Sequence, residues 1–163
     1  MATDYYGNFD PAIAGEAQDS AFKGWIEIQK FSFSATQVTT TNFGQGAGSG
    51  KVAFQNFSFT TKHSQASPLL MKNCALGTHF TTFTLNIRKA GGGQQVYSTY
   101  TLTEPYISSY YVASGEVEGD SIPNDTFTLS YQQIEHKYLA QATGGSVGGA
   151  VTATWNLQQN KAS

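Results

Sequence analysis

Charge is what this sequence has least of. Lys, Arg, Asp and Glu make up 12% of 163 residues, about half the share usual in a soluble domain. Threonine, serine, glutamine and asparagine fill the gap. A net charge of -2, with no stripe of basic residues, excludes nucleic acid as an expected partner. Arg88 is the one arginine, which leaves little with which to clamp an external phosphate or carboxylate. Cys74 is the one cysteine, so no disulfide forms within the chain and nothing points to an oxidising compartment. No apolar run approaches the length of a membrane span, and no membrane insertion is expected. The start, MATDYYGNFDPAIAGEAQD, lacks a basic region followed by an apolar run, so no signal peptide is expected. The expectation is a soluble protein made in the cytosol, one domain spanning 1–163.

The stretch TTTNFGQGAGSGKVAFQNF at 39–57 holds Gly44, Gly46, Gly48 and Gly50 just before Lys51. A phosphate loop needs a hydroxyl after the lysine and a glycine five residues before Gly50. Val52 and Gln45 stand there instead. A dinucleotide fingerprint must open a helix, whereas VAFQNFSFT is strand-like. The stretch therefore reads as a long arm between two strands, of the kind that often makes contacts.

One helix is expected over about 67–76, in SPLLMKNCALG: Ser67 as cap, Pro68 at the first position, Gly77 as the stop. Leu70 and Cys74 lie one turn apart, with Leu69, Ala75 and Leu76 available to pack beside them. Nearly everything else alternates with period two, and the alternation changes phase repeatedly. Ile26 and Ile28 give way to Phe31 and Phe33; Val52 and Phe54 to Phe57 and Phe59; Phe80 to Phe83, Leu85 and Ile87. Phe127, Leu129 and Tyr131 give way to Ile134, His136 and Tyr138. A bulge in mid-strand restores the facing after such a change and bends the strand. The expected architecture is mainly β: a small curved barrel of antiparallel strands with one short flanking helix. Pro105 fits an edge or a bend in a further strand.

Chemistry is sparse. His63, His79 and His136 have no partners at zinc-ligand spacing, and Cys74 sits among leucines as a core residue does. There is no Gly-x-Ser-x-Gly elbow. Glu116, Glu118 and Asp120 lie in a solvated turn without the full calcium-loop pattern. No metal, no cofactor and no enzymatic activity are expected.

Taken together, GWIEIQKFSFSATQ at 24, GKVAFQNFSFTTKHSQASPLLMKNCALGTH at 50 and FTLNIRKAGGGQQVYSTYTL at 83 resemble the haemolysin-coregulated protein family, Hcp, of bacterial type VI secretion. ISSYYVASG at 107, TFTLSYQQIEHKYLAQ at 126 and TWNLQQN near the end continue the likeness in the same order. Two departures are visible: FSFSA where the family more often ends Trp-Gly, and GEA at 15 for Gly-Glu-Ser. The resemblance implies a homo-hexameric ring, with rings stacked as a tube that a contractile sheath propels behind a spike protein. It further implies small effectors in the lumen and a protein secreted without a signal peptide. Head-to-tail contacts that close into a ring agree with a chain this poor in charge. If Phe31 and Phe33 face the core, then Lys30, Ser32 and Ser34 face away from it. The resemblance makes that outer face the lumen wall that contacts effectors. Asn42, Phe43, Gly44, Gln45, Gly46, Gly48 and Gly50 then become a stacking or ring-contact loop.

A second reading is a stand-alone β-sandwich module for carbohydrate, stacking sugar rings on Tyr97, Tyr100, Tyr106, Tyr110 and Tyr111. Tyrosines clustered in strands are more often ordinary packing.

Overall fold

The computed structural model describes residues 2–39, 49–91, 93–114, 122–141 and 147–163. Among these residues, twelve strands and one helix are laid down in the order β1 (Thr3–Asp10), β2 (Ile26–Ser32), β3 (Ala35–Thr39), β4 (Ser49–Phe54), β5 (Phe57–Lys62), α1 (Ser67–Leu76), β6 (Thr82–Lys89), β7 (Val96–Thr103), β8 (Tyr106–Ala113), β9 (Asn124–Ser130), β10 (Gln133–Gln141), β11 (Val147–Asn156) and β12 (Lys161–Ala162). Ten of the strands form one antiparallel sheet in the order β12-β11-β10-β7-β6-β1-β2-β5-β9-β8, and β3 pairs with β4 as a separate hairpin.

The sheet curls because its inner face is packed with large rings that meet from distant strands. Tyr100 of β7 lies 5.4 Å from Phe57 of β5 and 6.0 Å from Phe31 of β2. Phe83 of β6 lies 4.8 Å from Phe59 of β5, and Phe9 of β1 lies 6.1 Å from Phe127 of β9. A flat sheet would hold these pairs several strand spacings apart. The expected curvature, antiparallel pairing and single flanking helix are all present. The hydrogen-bonded ladder does not close, since β8 and β12 are its two ends.

Only one of the four phase changes is a bulge within a strand. In β2, Ile28 faces Thr61 and Lys30 faces Thr60, so Gln29 is the extra residue. Ile26 and Ile28 stay buried, and Phe31 and Phe33 pack onto the same core. The change after Phe54 is instead the passage from the β3–β4 hairpin into the main sheet, where the Gln55 amide donates to the Ser34 carbonyl (2.8 Å). The change after Tyr131 is the crossing from β9, which pairs with β5 and β8, to β10, which pairs with β7 and β11. Phe80 lies before β6 begins. Period-two analysis registers a strand end and a bulge as the same event, so it counted three ends as bulges. Pro105 falls between β7 and edge strand β8, where Glu104 takes a left-handed φ of 50°.

Helix α1 spans the expected residues and stops as expected: Gly77 at φ 63° lets its amide reach the Cys74 carbonyl (3.2 Å) and that of Thr78 the Asn73 carbonyl (3.1 Å). Ser67 is not the cap. It is the first helical residue, and its hydroxyl accepts from the Ser64 amide (2.9 Å) and donates to the Asp125 carboxylate. Leu70 is buried and Cys74 half-buried against the core, whereas Leu69, Ala75 and Leu76 face solvent rather than packing beside them.

The segment 11–25 is held to β1 and β6 by the sole arginine. Arg88 is 3% exposed, and its two terminal nitrogens donate to both Asp19 carboxylate oxygens at 3.0 and 2.7 Å. A further donation reaches Asp4 at 3.3 Å, and the guanidinium lies over Tyr6 and Phe22 at 5.2 and 5.3 Å. The clamp that seemed unavailable for an outside ligand is spent on the chain's own carboxylates. The hydrogen bonds from Arg88 hold the Asp19 carboxyl below the usual carboxylate range.

Two outcomes follow from this segment. At Gly15 an added Cβ would stand 2.2 Å from the Trp25 carbonyl oxygen, a backbone atom that cannot turn aside. Gly15→Ala is therefore expected to cost about 2 kcal/mol and lower Tm by roughly 6 °C, read by denaturant and thermal unfolding. A melting point equal to the parent's would mean the segment shifts freely. Because its folded-state pKa is depressed, the stability Asp19 contributes is complete above the unfolded carboxylate pKa and is lost as pH falls through the folded one. Asp19→Asn should be less stable than the parent at neutral pH and show a flatter acid decline below about pH 4. An equally steep decline in both would assign the loss to other carboxylates.

Candidate functional site: a hydroxyl-bearing sheet face

The same alternation that buries the phenylalanines projects small hydroxyls outward. In β5, Phe57 and Phe59 are 0% and 1% exposed, and Ser58 and Thr60 point the other way; in β9, Phe127 and Leu129 are 0% exposed, and Thr126, Thr128 and Ser130 point outward. Beyond the β2 bulge, Lys30, Ser32 and Ser34 are exposed while Phe31 and Phe33 pack inward. Ser32 stands opposite Ser58, which stands opposite Thr128, which stands opposite Ser109. Directly opposed residues in antiparallel strands share a face. β2, β5, β9 and β8 thus present one continuous surface of serine and threonine.

Its hydroxyls bond mainly to one another. Thr128 Oγ1 lies 2.7 Å from Ser108 Oγ and 2.6 Å from Ser109 Oγ, because an irregularity between Ile107 and Ser109 turns both serines outward. Asn56 donates to Ser108 Oγ at 3.1 Å and accepts from Ser130 Oγ at 3.0 Å. Thr60 and Thr126 hydroxyls meet at 3.4 Å.

Lys30, Ser32 and Ser34 are therefore brought together on one exposed face. Of the loop residues named with them, Asn42, Phe43, Gly44, Gln45, Gly46 and Gly48 lie outside the described residues, and Gly50 lies in β4. Glu116, Glu118 and Asp120 also lie outside them. Sequence reasoning missed the contributions of β5, β8 and β9, although the signal was present: in FSFT and TFTLS, hydroxyl residues alternate strictly with the core residues.

No group of three or more His, Cys, Asp or Glu side chains suited to a metal occurs among the described residues. One cluster has the residue types of a nucleophilic triad without its wiring. Asp125 is fully buried, with one oxygen 2.8 Å from His63 Nδ1 and the other accepting from Ser67. The serine thus bonds the carboxylate rather than the imidazole, so the order of contacts differs from the serine–histidine–aspartate relay. The cluster fastens α1 to β9. Burial first, then the Asp125 carboxylate, pushes the neighbouring Tyr110 phenol up to about 12. His136 stacks on Tyr100 at 4.1 Å and meets Ser98 Oγ at 2.9 Å; burial lowers its pKa. The His79 ring lies 5.0 Å from that of Tyr106, tilted by 38°.

The tyrosines do not form a sugar platform. Tyr97, Tyr100 and Tyr110 pack against the core, leaving Tyr106 and Tyr111 as the exposed members.

Residues 5–138 match the model of the family described as type VI secretion system effector, Hcp. Protein hcp1 of Pseudomonas aeruginosa is 36% identical over 150 residues, covering 91% of each chain. A solved type six secretion system protein superposes with a TM-score of 0.91 at 30% identity, over 99% of this chain and 100% of that one. Hcp1 from Salmonella typhimurium superposes at 0.82 with 30% identity, over the whole of both chains. The fold is shared over nearly the whole chain, and the chain belongs to the Hcp family of type VI secretion.

Proposed function

We propose that this chain, acting as one unit over 1–163, is a ring-forming subunit of the type VI secretion tube, and that its hydroxyl face lines the bore and carries small effectors. The observation that carries the reading is that face itself: Ser32, Ser58, Thr128 and Ser109 in one row, backed by a layer of phenylalanines. Small polar side chains leave space in a bore, and hydroxyls already bonded to one another bind a passing protein weakly enough to release it. Six copies close head to tail, rings stack, and the sheath and spike act on the stack. The glycine-rich segment 42–50 makes contacts between rings or subunits. The protein is made in the cytosol and leaves with the tube. Nothing in this function requires catalysis.

Native mass spectrometry of the purified protein should give a species six times 17.6 kDa without any added partner. Monomer alone across micromolar concentrations would sink the ring. Ser32→Arg should leave the fold and the ring intact, since Ser32 is exposed, and should sharply reduce effector retained in pull-downs with rings of verified mass. A long charge projects into the bore and must be desolvated against any bound protein. Retention equal to the parent's would remove Ser32 from the binding surface.

A further inference from the structure

Lys30 and Tyr111 stand at opposite ends of one row across the hydroxyl face. The register places Lys30 opposite Thr60, Thr60 opposite Thr126, and Thr126 opposite Tyr111. All four therefore project on the side that carries Ser32. Three strand spacings separate the ends, roughly 14 Å. This row and its neighbour through Ser32 contain no Asp or Glu, so Lys30 is the one charged side chain in the two rows. Tyr111 is 65% exposed, whereas Tyr100 and Tyr110 pack into the core. A tyrosine ring above a floor of serine and threonine offers large contact area at small entropic cost, the property that concentrates binding energy on tyrosine at protein interfaces.

Resting on the carrier reading above, we propose that Lys30 and Tyr111 are the specificity-determining pair of this face, selecting protein cargo that sets a carboxylate some 14 Å from an exposed apolar side chain. The apolar group lies against the Tyr111 ring and displaces water from both. The carboxylate meets the Lys30 ammonium, whose attraction also acts on approach. The hydroxyls between them supply shape and little discrimination.

The test uses purified rings of verified native mass and an alanine-rich helical peptide bearing Glu and Phe about eleven residues apart, roughly 16 Å along one face. One control peptide carries Lys for Glu, and another carries Ala for Phe. By fluorescence anisotropy the Glu/Phe peptide should bind about ten-fold more tightly than either control. Lys30→Gln should weaken it about three-fold and remove most of its salt dependence. Tyr111→Ser should weaken it about ten-fold and leave the salt dependence unchanged, while Tyr111→Phe keeps parental affinity. An intact ring that binds all three peptides alike, or none, overturns the inference while leaving the ring standing. A parent that forms no ring overturns the carrier reading and this inference with it.

Discussion

Phe57 lies 4.7 Å from Phe59, 4.8 Å from Phe33 and 5.4 Å from Tyr100, and Phe59 continues to Phe83 and Phe127 at 4.8 and 5.2 Å. With Phe31 of β2 5.8 Å from Phe57, this ring-on-ring layer ties β5 to β2, β6, β7 and β9, and the rest of the molecule is arranged around it. Each phenylalanine buried there contributes about 1.5–3 kcal/mol from apolar area alone. Because strand side chains alternate, a slip of one residue in β5 or β9 would put those rings into water and the hydroxyls into the core. The penalty for that slip, about 3–6 kcal/mol for the two core residues of either strand, is of the order of the whole stability margin of a small domain. The hydroxyl face is thus fixed by what lies beneath it rather than by attraction among the hydroxyls, whose mutual bonds add little net stability at an exposed surface.

Two devices adapt this layer to a sheet that must curl. The extra Gln29 lets β2 keep Ile28 inside while putting Phe31 and Phe33 on the same core, so one strand serves both the tightly paired and the bent part of the sheet. The Arg88 cluster then holds segment 11–25 against the outside of β1 and β6. Burying a guanidinium costs much of what its ion pairs return. The pair with Asp19 therefore gives position more than stability, and it is the close backbone approach at Gly15 that makes accurate position necessary.

The fold was legible where a residue's pattern has one meaning. Gly77 ended α1 as expected because a left-handed stop favours glycine, and Phe57, Phe59, Phe127 and Leu129 were read as inward from strict alternation. It was misread where one pattern has several causes. A change of phase can be a bulge, a strand end or a crossing between strand neighbours, and the sequence holds no record of which strand lies alongside. The same gap hid most of the hydroxyl face. Ser32 was found through its own flanking phenylalanines, but Ser58, Thr128 and Ser109 join it only through pairings that span 19 to 70 positions of sequence. Ser67 was misjudged for a related reason: it looked like a local cap, and its carboxylate partner, Asp125, lies far along the chain.

A face built this way has a particular binding character. Ser108, Ser109, Thr128, Ser130 and Asn56 direct their hydrogen bonds largely to one another, so a partner laid on them exchanges one weak set of contacts for another and gains little. Such a floor tolerates many partners and holds none of them firmly. Discrimination on it must come from side chains that depart from the pattern in size or charge. In the row from β2 to β8 those are the residues at its two ends, a lysine and a tyrosine separated by threonines. Tolerance and selectivity can therefore vary independently here: the threonines and serines are constrained by the phenylalanine layer through register, whereas Lys30 and Tyr111, exposed on the side of the sheet opposite that layer, can change without disturbing it.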